Sequence, residues 1–136
     1  MLRAVGAGPA LVACSTCRFA RERACHSSGV SGGALLIARL VELQSADPRY
    51  SLIEVQENSC LFACRDFCAV HLRAPGKIGY VLGRFDPCED AARALLDFAA
   101  EYAASDDGTV DFARWPEGVK GHFITRVPPS GHVIED

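Results

Sequence analysis

Asn58-Ser-Cys-Leu-Phe-Ala-Cys-Arg-Asp-Phe-Cys68 sets three cysteines, Cys60, Cys64 and Cys68, at equal intervals in a short connection. The run Leu52-Ile-Glu-Val55 before it is β-branched and bounded by polar residues, which predicts a strand over about Tyr50–Gln56. After it, Ala69-Val-His-Leu-Arg-Ala74 alternates Val70, Leu72 and Ala74 against His71 and Arg73, the pattern of a strand with one covered face. Pro75-Gly76 has the composition of a type II turn, and Ile78-Gly-Tyr-Val-Leu82 returns from it. An antiparallel hairpin is therefore predicted directly after the cysteine loop.

Working outward, Ala10-Leu-Val-Ala-Cys14 reads as a short buried strand stopped by Ser15-Thr16, with Cys14 and Cys17 where it ends. Arg18 to Gly33 is polar, charged and glycine-bearing, a loop that carries Cys25 and His26. From Ala34 the apolar residues fall at helical spacing, Leu36, Leu40 and Leu43 with Ile37 and Val41 beside them, and Ser31 is the expected N-cap. Asp47-Pro48 ends that helix. Asp86-Pro-Cys-Glu89 has the form of a capping box with proline at the first helical position, and Ala92, Leu95, Leu96, Ala99 and Tyr102 mark one face of a helix running to about Ala104. Beyond it, Phe112, Trp115, Phe123, Ile124 and Val127 lie among prolines and glycines with neither period.

This reading divides the chain into a loose leader (1–9), a metal-binding domain (10–104) and an irregular extension (105–136) that packs on the domain or on a partner. The first two strands are joined by a helical crossover, so they are expected to be parallel. Strand, helix, strand, cysteine loop, hairpin and helix follow the thioredoxin-like order: an α/β fold with a central four-stranded mixed sheet and two main helices.

The totals narrow the function. A chain of 136 residues buries roughly two thirds of its unfolded surface, so a core forms without covalent staples. Fourteen basic against 17 acidic side chains give a formal charge of -3, and the two lysines, Lys77 and Lys120, make no basic patch, which argues against nucleic acid. No apolar run approaches the roughly 18 residues needed to cross a bilayer, so no membrane partner is expected. Seven cysteines, an odd count without an export signal, point to free or ligating thiols and a cytoplasmic setting rather than a disulfide framework. Leu11-Val-Ala-Cys14 resembles a lipoprotein cleavage box, but the segment before it is short and holds Gly6, Gly8 and Pro9.

Crowded thiols either bond to one another or bind a soft metal. In a parallel β-α-β unit the carboxyl ends of the two strands share one sheet edge, so the Cys14 and Cys60 groups can converge although far apart in sequence. Four protein ligands suffice for a 2Fe-2S cluster or for tetrahedral zinc, and here the supply exceeds four. Cys60 and Cys64 supply one pair; the other is Cys14 with Cys17, while Cys25 and Cys68 remain alternates. His26 would allow a mixed site. Cys14-x-x-Cys17 also stands where a thioredoxin carries its reactive pair, so thiol-disulfide exchange is a rival chemistry, although no proline directly precedes the strand at Ala69. Cys88 is read as a small core residue. His71, His122 and His132 are read as solvent-facing, and Trp115 and Phe123 as packing of the tail on the core.

With these residues in hand, the chain resembles the thioredoxin-like 2Fe-2S ferredoxins, whose cysteine pattern is matched by Cys14, Cys25, Cys60 and Cys64. It resembles still more a bacterial family of predicted metal-binding proteins often encoded beside cobalamin-biosynthesis genes. That pattern is carried by Cys14-Ser-Thr-Cys17-Arg18, Cys60-x-x-x-Cys64-x-x-x-Cys68, Ala74-Pro-Gly-Lys77 with Tyr80, Asp86-Pro87 and Arg126-Val-Pro-Pro129. The resemblance implies an electron carrier with a 2Fe-2S cluster, or an adaptor holding zinc or cobalt, and not an enzyme. It implies a redox protein or a cobalt-handling protein as partner and leaves a homodimer open. The two patterns differ over the second ligand, the ferredoxins pointing to Cys25 and the nearer family to Cys17.

Overall fold

A computed structural model describes residues 2–18 and 29–136; Cys25, His26 and the side chain of Cys64 lie outside the described residues. The elements are β1 (Ala10–Cys14), α1 (Gly32–Ala46), β2 (Glu54–Asn58), β3 (Val70–Arg73), β4 (Gly79–Leu82), α2 (Glu89–Ala104) and β5 (Phe123–Val127), with short 3-10 turns between them. They form one five-stranded sheet in the order β2-β1-β3-β4-β5. β1 and β2 run parallel, from Ala10 beside Glu54 to Cys14 beside Asn58, and the remaining neighbours are antiparallel. The two expected cysteine groups thus leave the sheet at the same edge.

α1 begins where its cap allows. Ser31 is extended, its Oγ accepts the N–H of Ala34 at 3.1 Å, and the same hydroxyl donates to the carbonyl of Ser15 at 2.7 Å. The helix start is therefore tied to the turn after β1. Leu36, Leu40 and Leu43 form its buried stripe, packed with Leu11, Ala13, Val70, Leu72 and Leu82 from the sheet and Leu95, Leu96, Phe98 and Tyr102 from α2. Asp47 receives the chain out of the helix and caps the Pro48–Tyr50 turn, and Tyr50, buried, donates its hydroxyl to Asp97 of α2 at 2.5 Å. That turn and the three residues after it take up Tyr50 to Ile53, which the sequence assigned to the second strand, so β2 starts at Glu54.

Two further expectations are corrected. α2 does not start on the Asp86 capping box: its N-cap is Cys88, which is exposed and makes no side-chain capping bond, so Cys88 is not a core residue. Asp86 and Pro87 lie one step outside, in the chain leading to that cap. The extension beyond α2 is not irregular throughout. β5 pairs with β4 from Gly79 beside Val127 to Leu82 beside Phe123, making the sheet five-stranded instead of four-stranded. Its five residues carry no clear alternation because four of them are exposed at the sheet edge. Phe123 stays half-buried, in an aromatic group with Tyr80, Phe98 and Trp115 at centroid separations of 4.6–6.0 Å, several of them edge to face. Tail-to-core packing of Trp115 and Phe123 is as expected.

One close approach holds α1 to the turn after β1. A Cβ added at Gly33 would run into the carbonyl oxygen of Cys14 and stand 3.1 Å from the backbone nitrogen of Cys17. Backbone faces backbone here, and neither side has a flexible end to yield. Gly33→Ala is expected to destabilise the fold by about 3 kcal/mol, the upper part of the range for overpacking. A fall in Tm of roughly 10 °C should follow. An unchanged Tm would show that the helix and the turn separate freely.

Candidate functional site

The site is built where β1 ends. The Ser15 N–H donates to the carbonyl of Asn58 at 2.8 Å, continuing the β1–β2 ladder one residue past the strands, and the Thr16 hydroxyl donates to the carbonyl of Ser59 at 2.5 Å. These bonds hold the entry of the cysteine loop against the Cys14–Cys17 turn. The Cys14 thiol points into the junction and donates to the Ser59 carbonyl at 3.8 Å. Cys60 therefore sits between neighbours that touch Cys14. Its own sulfur is exposed and accepts the N–H of Phe62 at 3.4 Å.

The inner wall comes from the start of β3. Ala69 donates its N–H to the Cys17 sulfur at 3.3 Å, and its carbonyl accepts the N–H of Cys14 at 3.1 Å. The neighbouring Cys68 thiol donates to the Arg18 carbonyl at 3.4 Å. Residues 17–18 and 68–69 are thus laced together. Cys14, Cys17 and Cys68 are 2%, 2% and 1% exposed, and Cys14 and Cys17 pack with Ala69, Leu61 and Ala63 in a small apolar cluster of their own. Cys14, Cys17, Cys60, Cys68 and Cys88 are all free of disulfides.

The thiols are electrostatically unequal. Burial pushes Cys14 up, but hydrogen bonds from the Cys17 thiol, the Leu61 backbone and Thr16 outweigh it and hold Cys14 below the ordinary thiol value. Burial first, then the hydrogen bond to Cys14 and the nearby Cys14 and Cys68 charges, push Cys17 up to about 12. Burial, with Asp86 and Cys14 nearby, does the same to Cys68. Of the pair, Cys14 is therefore the more readily ionised sulfur. The N-terminus of α1 abuts this pair, Gly33 donating to the carbonyl of Cys17 at 3.1 Å, and a helix N-terminus favours negative charge beside it.

Of the expected ligands, the structure brings Cys14, Cys17 and Cys68 to one junction and runs the Cys60 arm beside Cys14. Cys25 and the Cys64 side chain fall outside the described residues. Among the described residues no group of three or more His, Cys, Asp or Glu side chains stands close enough to hold an ion. The donor set still suits a soft metal: buried thiols unlinked to one another, with backbone N–H groups aimed at the sulfurs of Cys17 and Cys60. Cys88 lies apart, at the start of α2.

Three residues of this neighbourhood gave no signal in the sequence. Phe62, Cys68 and Arg84 have φ of 58°, 52° and 64°, the left-handed region that non-glycine side chains rarely take, and Phe62 is 96% exposed at the tip of the loop. His122 is not solvent-facing: its ring stacks on Phe85 with centroids 4.4 Å apart. His71 is half-buried, and burial, with Arg73 nearby, lowers its pKa.

The fold matches the structure of a thioredoxin-like [2Fe-2S] ferredoxin from Aquifex aeolicus, with a TM-score of 0.52 over 94% of this chain and 100% of that one, at 17% sequence identity. At that identity the likeness carries the thioredoxin-like fold. No curated protein matches the sequence. No helix among the described residues is long and apolar enough to cross a membrane. Residues 11–129 match the family model described as "Protein of unknown function (DUF1636)", and the chain belongs to that family.

Proposed function

We propose that this protein is a cysteine-ligated metal protein, a 2Fe-2S electron carrier on a thioredoxin-like scaffold. The observation that carries the reading is the junction at the end of β1. It holds three buried free thiols, an exposed fourth on an adjoining loop, and backbone N–H groups directed at two of the sulfurs. The fold likeness to a [2Fe-2S] ferredoxin supports it.

The ligands proposed are Cys14, Cys17, Cys60 and Cys64, with Cys68 as the neighbouring spare. A cluster so held supplies single-electron transfer, at a potential tuned by hydrogen bonds to sulfur and by exposure. The chain contributes an apolar inner wall from Ala69, Leu61 and Ala63 and one solvent-reaching sulfur, Cys60. Electrons would enter and leave on the Cys60 side. The resemblance to proteins encoded beside cobalamin-biosynthesis genes adds the finer proposal that the electron, or the metal, serves cobalt handling through a redox or cobalt-handling partner.

A second reading draws on the unequal pair. Cys14, with its lowered pKa at a helix N-terminus and Cys17 as resolving thiol, has the electrostatics of a disulfide exchanger. The cysteine loop is unexplained by that chemistry, which needs two thiols only.

Protein purified without oxygen is expected to be brown and to contain about two iron and two acid-labile sulfide per chain. A colourless protein with one zinc would replace the cluster by a structural ion. Insulin reduction by metal-free protein, lost in Cys17→Ser, would favour exchange.

Cys14→Ala, Cys60→Ala and Cys64→Ala should each lower bound iron to roughly a tenth of wild type or less, at least the loss that follows when a residue supporting a metal ligand is removed. Cys88→Ala should leave it intact. Full iron in both loop variants would remove Cys60 and Cys64 from the ligand set.

A further inference from the structure

The cysteine loop is pinned at its entry by the turn after β1. Its exit, between Cys64 and Cys68, is pinned by something else. The Arg84 N–H donates to the carbonyls of Phe67 at 2.6 Å and Asp66 at 3.4 Å, the two residues that lead into Cys68. The Arg84 guanidinium then reaches both ways: Nη2 donates to the carbonyl of Gly121 at 3.0 Å, and Nε lies 3.6 Å from Oδ1 of Asp66. One residue joins the C-terminal extension to the exit arm of the loop.

Its neighbours complete the connection. The Gly83 N–H donates to the carbonyl of His122 at 2.9 Å, and the His122 Nδ1 stands 2.9 Å from the carbonyl of Gly83. A carbonyl only accepts, so the proton of that bond is on Nδ1. A Cβ at Gly83 would lie 2.6 Å from the carbonyl oxygen of Asp66, so segment 83–85 is pressed onto the loop without a side chain between. The left-handed φ of Arg84 is what turns its N–H toward the loop while its side chain reaches the tail, a conformation of the kind found where the surroundings over-determine it.

We infer that Arg84 and His122 are positioning residues, through which the C-terminal extension acts as a clasp that closes the exit arm of the cysteine loop over Cys68. The inference deepens the proposed metal centre and rests on it for its purpose, since a closed exit arm is what would keep the loop thiols in place for a metal. The clasp itself is a property of the chain.

The test reads the thiols of the full-length, metal-free protein, by mass-spectrometric rates of alkylation with iodoacetamide. In wild type Cys68 should react slowly. Arg84→Gly accepts the same φ and keeps the backbone bonds while removing the guanidinium, and His122→Ala removes the ring. Each should speed Cys68 by about tenfold, the effect of losing one hydrogen bond of ordinary strength. Cys14, held by the entry arm, should keep its rate. His122→Asn, which restores a donor near the Nδ1 position, should recover part of the protection.

An unchanged Cys68 rate in Arg84→Gly, or an equal rise at Cys14 and Cys68, would overturn the clasp, the latter marking general loosening instead. Absence of iron and zinc from freshly purified wild type would defeat the metal reading while leaving the alkylation ratio to decide the clasp.

Discussion

The parallel pairing of β1 with β2 is the constraint on which the site depends. Because Cys14 pairs with Asn58, and because the ladder runs one residue further through Ser15, two segments more than forty residues apart leave the sheet together. A parallel pair requires a crossover, and α1 supplies it. The helix is no passive connector. Its cap serine bonds the turn after β1, and its second residue has no side chain, which lets the turn lie against it.

Much of this was legible in the residues. The helical stripe of Leu36, Leu40 and Leu43, the cap at Ser31, the alternation over Val70–Arg73 and the turn at Pro75-Gly76 are local signals, and each is a statement about neighbours within a few positions. That the segments carrying Cys14 and Cys60 leave the sheet at one edge followed from the crossover alone. What was not legible is what depends on distant partners. Asp86-Pro-Cys-Glu89 satisfies every local rule for a capping box, yet the helix starts two residues later than that rule places it. β5 has no period to read because an edge strand in contact on one side only needs none. His122 looked like a polar residue in a tail until its ring was found on Phe85.

Cys68 shows the same limit inside the site. Spacing alone made it the third member of an even series, a spare ligand. The structure gives it a left-handed backbone and a buried sulfur at the meeting of residues 17–18 and 68–69. Nothing about its neighbours in sequence announces that conformation. It arises because the strand starting at Val70 and the loop ending at Phe67 are each fixed by other parts of the chain.

Three non-glycine residues held in left-handed backbone, at Phe62, Cys68 and Arg84, all border one loop. Each such residue costs on the order of 1 kcal/mol relative to ordinary geometry. The loop's shape therefore carries a small local strain at each of these positions. That strain is met by the chain's own hydrogen bonds, from Arg84 to Phe67 and Asp66 and from Cys68 to Arg18, so the shape of the sulfur-bearing loop is set by contacts lying outside it.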